Sequence, residues 1–246
     1  MKFTIGITTF SKRFGFIVKL ISQIRQYTDN KIILIINGEK DGNFSEEYRV
    51  DVLNLCLFYQ NVFPIFFTET RGLSKLWNTG LVASDTDNIL MLNDDIEIHS
   101  SDIFEVTQAH IESKMFSGLT KINGSFSHFI ANKVIMDQVG YFDERLLGFG
   151  EEDGDISFRL LKRNIRINDI GISGVENIIS PIRHEHIKPG IGKYSNFNRE
   201  YIYGKKYKPN ISSPYKGMFD TPMDQLLEDI NQYPYEKFFR ENKDKL

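Results

Sequence analysis

The sequence predicts an α/β fold: a doubly wound, mainly parallel sheet followed by a small C-terminal extension. Two observations carry this expectation. Short apolar or β-branched runs alternate with segments of helical period through the first 95 residues, which is the pattern of successive strand-helix units. One of those runs, Ile32-Ile33-Leu34-Ile35-Ile36, is apolar at every position, as suits a parallel strand covered by helices on both faces.

The elements follow in order. Phe3 to Thr9 alternates and is rich in β-branched residues, and Phe16, Ile17, Leu20, Ile21 and Ile24 then fall at helical spacing. The second strand ends in Asn37-Gly38, where a loop begins. Glu46 to Tyr59 is read as a second helix, Phe63 to Thr68 as a third strand, Leu73 to Ala83 as a third helix and Asn88 to Leu92 as a fourth strand. The second half is less regular. Helices are expected near Ala131 to Val139 and from about Asp153 to Arg163, with short strands around Ile165 to Ile170 and Ile178 to Ile182. From Pro181 to Gly217, eight basic residues stand against two acidic ones, interleaved with Tyr194, Phe197, Tyr201, Tyr203, Tyr207 and Tyr215. This stretch reads as a solvated loop, a mobile lid over an acceptor, or a contact with an anionic surface. A polar helix, Met223 to Ile230, and an aromatic turn at Tyr233, Tyr235, Phe238 and Phe239 are expected at the end.

Composition bounds the function. With 41% hydrophobic and 26% charged residues, the 246-residue chain is an ordinary globular sequence with material for a large core. A net charge of -3 gives no whole-molecule case for nucleic acid. The single cysteine, Cys56, lies in an apolar stretch and reads as a core residue, so no disulfide framework exists. The chain opens directly into a strand without signal-peptide features and has no apolar run that would span a bilayer. The expected location is cytoplasmic, with membrane association confined to peripheral contact at the inner face.

In a doubly wound sheet, ligands bind beyond the carboxyl ends of the strands. The residues there are Thr8 and Thr9, Asn37 to Glu39, Arg71, and Asn93-Asp94-Asp95. Carboxylates at such an edge suit a hard divalent cation, which takes one or two of them together with substrate phosphates. Acidic residues also close strands and cap helices, so this feature has a purely structural reading as well. A second constellation is Gly148-Phe149-Gly150-Glu151-Glu152-Asp153-Gly154-Asp155, leading into Ile156, Leu160 and Leu161. Helix capping accounts for one or two of those acids but not for four. A carboxylate beside a substrate hydroxyl acts as a general base, and flanking glycines let a sugar approach the backbone.

Taken together, the motifs resemble the GT-A glycosyltransferases, specifically the inverting family 2 type and the β-1,4-galactosyltransferase catalytic region, over roughly Phe3 to His186. Thr8-Thr9-Phe10 matches the strand and loop that receive the nucleotide base, and Asn37-Gly38-Glu39 falls where an acid contacts base or ribose, with Glu39 displaced. Arg71 to Gly80 resembles the Gly-x-x-x-Ala-Arg-Asn-x-Gly segment, with Trp77 in place of the arginine, so that phosphate contact passes to Lys75 or Arg71 and Asn78 keeps its place. Asn93-Asp94-Asp95 resembles the Asp-x-Asp motif, which makes Asp95 the metal ligand. Phe149 to Asp153 resembles the Trp-Gly-x-Glu-Asp motif, which gives Asp153 the role of base and Glu152 a contact to acceptor or donor sugar. Ile182-Arg183-His184 resembles the segment whose histidine binds metal, favouring His184 over His186. His99, His110 and His128 match nothing.

The resemblance implies a catalytic domain over 1–186, with a nucleotide-binding half at 1–95, an acceptor-binding half at 96–186, and a basic aromatic lid and helix at 187–246. It also implies Mn2+ or Mg2+, a nucleotide-sugar donor of UDP type and a glycan or lipid-linked acceptor. Two rivals stand beside it. A metal-dependent nucleotidyltransferase would use the same edge, but Ser11-Lys12-Arg13-Phe14-Gly15 is a poor phosphate loop. A non-catalytic nucleotide-sugar or glycan-binding module is motivated by Asn93 and Trp77, and opposed by Glu152, Asp153 and His184.

Overall fold

The computed structural model describes residues 2–10, 13–39, 44–178 and 192–207. Its first four strands and three helices fall close to where sequence period places them. They are β1 (Thr4–Phe10), α1 (Phe14–Arg25), β2 (Ile32–Asn37), α2 (Glu46–Phe58), β3 (Val62–Phe66), α3 (Leu73–Ala83) and β4 (Asn88–Asn93). The chain continues through β5 (Ile96–Ile98), α4 (Asp102–Glu112), β6 (Leu119–Ile122), β7 (Ser125–Asn132), α5 (Lys133–Val139), α6 (Glu152–Lys162), β8 (Asn168–Ile170) and β9 (Val175–Asn177). The last helix among the described residues, α7 (Gly192–Tyr201), runs into a π-helical turn at Ile202–Lys206.

Two compact units interleave along the sequence. The first holds residues 1–70, 79–135 and 166–180, and the second holds 71–78, 136–165 and 181–246. All nine strands among the described residues belong to the first unit. Seven form one sheet in the order β3-β2-β1-β4-β7-β6-β8, and β5 pairs with β9. β1 is parallel to both β2 and β4, so the carboxyl ends of these three strands lie at one edge, with Thr8 in register with Asn93 and with Ile35. β7 is antiparallel to β4 and β6, while β6 and β8 are parallel. The expected doubly wound, mainly parallel α/β class is therefore the one observed.

The core explains the sequence pattern. Every residue of β2 is buried, and Ile5, Ile7, Leu34, Ile36, Leu90 and Leu92 pack against Ile17, Leu20, Ile21 and Ile24 of α1. Ser45 caps α2 by accepting the Tyr48 amide at 3.2 Å. Cys56 is half-buried against this core and burial pushes its thiol up to about 11, an inert residue rather than a nucleophile.

The second half corrects several expectations. Ala131 and Asn132 end β7, and the helix expected from Ala131 begins only at Lys133. β7 alternates weakly because its first three residues are only partly buried, which hides its period. The strand expected over Ile165 to Ile170 is confined to Asn168–Ile170. Near Ile178 to Ile182, the strand found is β9, which ends at Asn177; the rest of that expectation, and the helix at Met223 to Ile230, lie outside the described residues. Among the described residues, no helix is long and apolar enough to cross a membrane.

Candidate active site

In the first unit, the strand edge organises the predicted donor residues. Thr8 donates its hydroxyl to the Asn93 side-chain oxygen at 3.0 Å, tying the end of β1 to the end of β4. One residue on, Thr9 donates to Asp94 Oδ2 at 2.7 Å, and Arg13, at the start of α1, donates to Asp94 Oδ1. Both oxygens of Asp94 are thus engaged inside the protein. Burial pushes this carboxyl up to about 6, against the pull of Arg13 and Thr9. Asp95 lies in the turn between β4 and β5, 6% exposed, with its carbonyl accepting the Ile178 amide at 2.6 Å.

Asn37, at the end of β2, is fully buried and its side-chain oxygen accepts the Gly38 amide at 3.0 Å. Glu39 bridges to Glu69 and its carbonyl accepts the Thr70 amide at 3.2 Å, so the loop after β2 is held by the chain after β3. The Tyr48 hydroxyl donates to the carbonyl of Phe10, fixing the end of β1 from α2.

In the second unit, the acid-rich turn is built on buried amides. Asn78 receives the Phe142 amide at 3.0 Å and donates to the Phe142 carbonyl at 2.7 Å and to Glu144 at 3.0 Å. Lys75, one turn earlier on α3, pairs with the other oxygen of Glu144 at 3.3 Å. Lys75, expected with Arg71 at the donor phosphates, and Asn78, expected among the nucleotide-sugar contacts, are in this structure buried partners of the Phe142–Glu144 segment, and Arg71 is buried in the same unit. Trp77 stacks at a tilt on Phe142 with ring centres 4.9 Å apart.

The turn then enters α6 with left-handed φ at Gly148 (56°), Gly150 (114°) and Glu151 (77°). A Cβ on Gly148 would meet the Tyr194 ring at 2.8 Å, and one on Gly150 would meet Ser195 Oγ at 2.5 Å, so two glycines are required by both angle and space. Glu152 opens the helix, 4% exposed. Its Oε2 accepts the Gly150 amide at 2.6 Å, while its Oε1 is buried with no hydrogen-bond partner among the described residues. Burial raises this carboxyl to about 8, helped by the nearby Asp153 and Glu151. Asp153 is exposed, and its Oδ1 accepts the Gly154 amide at 2.9 Å.

Behind the turn lies a buried charge cluster that sequence reasoning did not find. Lys206 Nζ donates to Asp143 at 2.7 Å and to Asp155 at 2.9 Å, all three fully buried. Arg145 joins Asp143, and Arg159 joins Asp155 and the carbonyls of Val139, Gly140 and Tyr141. Burial pushes both carboxyls up, but Lys206 with Arg145 and Arg159 outweighs it and holds them below the ordinary range. The only signal for Lys206 was its place in a basic stretch, which reads as surface.

His184 and His186 lie outside the described residues. Among those described, no three His, Cys, Asp or Glu residues gather as a metal cage. The carboxylate of Asp95 at the sheet edge nevertheless fits a hard cation that takes its remaining ligands from phosphate and solvent oxygens. His128, buried on β7 opposite Leu92, is bonded to Ser127 and held neutral by burial, which lowers it to about 4.

No protein-family model and no curated protein matches the sequence. Solved structures do match its fold. S. aureus TarS superposes with a TM-score of 0.53 at 14% identity over 76% of this chain and 38% of that one. A mannosyltransferase from Pyrobaculum calidifontis, solved with GDP-Man and Mn2+, gives 0.57 at 10% identity over 70% of this chain and 56% of that one. GalNAc-T7, solved with UDP, GalNAc and Mn2+, gives 0.59 at 11% identity over 98% of this chain and 56% of that one. The chain thus spans from about a third to just over half of these proteins' lengths. At such identities the similarity shows the fold: the α/β architecture of GT-A glycosyltransferases.

Proposed function

We propose that this protein is a metal-dependent, inverting glycosyltransferase that moves a sugar from a nucleotide-diphosphate donor to a hydroxyl of a glycan or lipid-linked acceptor. One observation carries the reading: a GT-A sheet whose β4 ends at Asn93 and leads directly into Asp94-Asp95, with Asn93 tied to Thr8 of β1. The relatives of this fold solved with UDP or GDP-Man and Mn2+ support the donor class and the divalent ion.

The assigned roles follow from the chemistry of each group. Thr8, Asn37 and Glu39 sit where base and ribose are received, and Asn93 beside them offers a neutral amide to the ribose. Asp94, with both oxygens engaged by Thr9 and Arg13, supports the turn that presents Asp95. Asp95, with His184 as its expected partner, would hold Mn2+ or Mg2+. When bound, the ion supplies positive charge against the growing charge on the departing diphosphate. Arg71 contributes positive charge to the same task. Asp153, exposed in the first turn of α6, takes the proton of the acceptor hydroxyl, and Glu152 hydrogen-bonds the acceptor or donor sugar. A single displacement with inversion results. UDP-sugars are the donor class to test first. No whole-molecule charge favours nucleic acid, and the expected compartment is the cytoplasm or the inner membrane surface.

Calorimetric titration of UDP, GDP, CMP and dTDP with and without Mn2+, in the wild type and Asp95→Ala, tests the donor site. Binding of one nucleotide that requires both metal and Asp95 is the expected result. Product analysis with the matching sugar nucleotides by anomeric-proton NMR then tests inversion. A protein that binds donor but never hydrolyses or transfers it would be a binding module instead.

A further inference from the structure

One face of α7 grips the turn that precedes the acid pair. Asn198 is fully buried. Its Oδ1 accepts the Leu147 amide at 2.8 Å, and its Nδ2 donates to the Leu147 carbonyl at 3.0 Å and to the Gly150 carbonyl at 2.8 Å. The same Gly150 donates its amide to Glu152 Oε2 at 2.6 Å. Asn198 therefore holds one side of the residue whose other side holds Glu152. Its helical neighbours close the grip. The Tyr194 ring packs edge-on against Phe149 and fills the space over Gly148, Ser195 lies against Gly150, and Arg199 pairs with Glu151 at 2.6 Å. Residues 194, 195, 198 and 199 share a helix face, so one rigid element meets the turn from Leu147 to Glu151. That element is anchored in turn, since Tyr201 donates to Asp143 and Lys206 bridges Asp143 and Asp155.

We infer that Asn198 is a positioning residue for the acid pair Glu152–Asp153, and that α7, which lies outside the stretch matching the family motifs, is a working part of the catalytic apparatus rather than a lid. The assignment rests on the glycosyltransferase reading for what the acid pair does, but the geometry that links Asn198 to Glu152 is independent of it. Three hydrogen bonds to one buried amide hold a turn that carries left-handed φ at Gly148, Gly150 and Glu151, and they add to the Leu73 amide on the Gly148 carbonyl and the Arg199–Glu151 pair. A displacement of the turn by about 1 Å costs on the order of 100-fold in turnover when it carries a reacting group.

The test compares Asn198→Ala with the wild type, and Asn198→Ser in addition. The serine keeps one short hydroxyl that can bond within the turn and adds no charge, and so provides a second, milder variant if the alanine protein does not fold. The first readout needs no substrate: the titration of Glu152 followed by NMR of side-chain carboxyl carbons, assigned with Glu152→Gln. Burial is what holds this carboxyl up, so loosening the turn admits water and lowers its midpoint by about one unit or more. The second readout is the kcat against KM split for the UDP-sugar that the wild type turns over. The expected result is a fall in kcat of about 100-fold with the KM for donor unchanged. A folded variant whose Glu152 midpoint and kcat both match the wild type overturns the inference. If the wild type itself neither binds nor turns over any sugar nucleotide, the transferase reading fails, while the titration still decides whether Asn198 governs Glu152.

Discussion

Arg13 and Asp94 form a buried ion pair across the sheet edge, and Asp94 also accepts the Thr9 hydroxyl, so the middle residue of Asn93-Asp94-Asp95 faces into the protein. The side chains on either side of it have different work. Removing Asp94 leaves the Arg13 guanidinium buried without its counter-charge, and Asp94→Ala is expected to lower stability by about 3 kcal/mol in urea unfolding. Asp95→Ala is expected to abolish metal-dependent nucleotide binding in calorimetry. The two adjacent acids are thereby separated by two different instruments.

Glu152 is expected to make the folded state less stable as pH rises. Its folded value, about 8, lies above the ordinary 4.5. A carboxyl with a raised folded value contributes stability that is complete below about pH 4.5 and lost as pH climbs through about 8. Glu152→Gln should remove that slope. The measurement is the difference in unfolding free energy between the two proteins at several pH values across this window. A difference that does not vary with pH would refute the assignment.

Lys206→Met keeps most of the buried volume but leaves Asp143 and Asp155 without their shared cation, and a loss of about 3–5 kcal/mol is expected. The sign with pH is opposite to that of Glu152. Carboxyls held below the ordinary 3.8 contribute stability that is present above that value and lost as pH falls through their lowered folded values. The gap between wild type and Lys206→Met should be widest near neutrality and narrow below about pH 3.8, which thermal melts in a pH series will show.

Asn78→Leu should cost about 2–4 kcal/mol, because it leaves the buried amide and carbonyl of Phe142 unsatisfied and removes a donor to Glu144. The expected signature is a lower melting temperature with Mn2+-dependent nucleotide affinity retained. A large loss of affinity at unchanged stability would instead return Asn78 to the nucleotide-sugar contacts, where the motif resemblance puts it.

Much of this architecture was legible in the chain itself. The runs ending at Thr9, Ile36 and Leu92 carry their own period and burial, and their order alone places Thr8, Asn37 and Asn93 to Asp95 at one edge. The acid-rich turn was legible too, because four acids around two glycines exceed what capping needs. β6, β7 and α4 were not, since short strands with partly polar faces carry weak periodicity.

What the sequence determined by itself was therefore local: which segments form strands and helices, and which polar residues follow the strands. Only the tertiary structure decided how each polar group is used. Asp94 faces inward to Arg13, Lys75 and Asn78 hold Glu144 and Phe142, and Lys206 and Asn198 reach from a basic, aromatic stretch into the second unit's interior. The reason is that backbone period is written in neighbouring residues, whereas the partner of a buried charge or amide lies 51 to 85 positions away and leaves no mark on the local pattern.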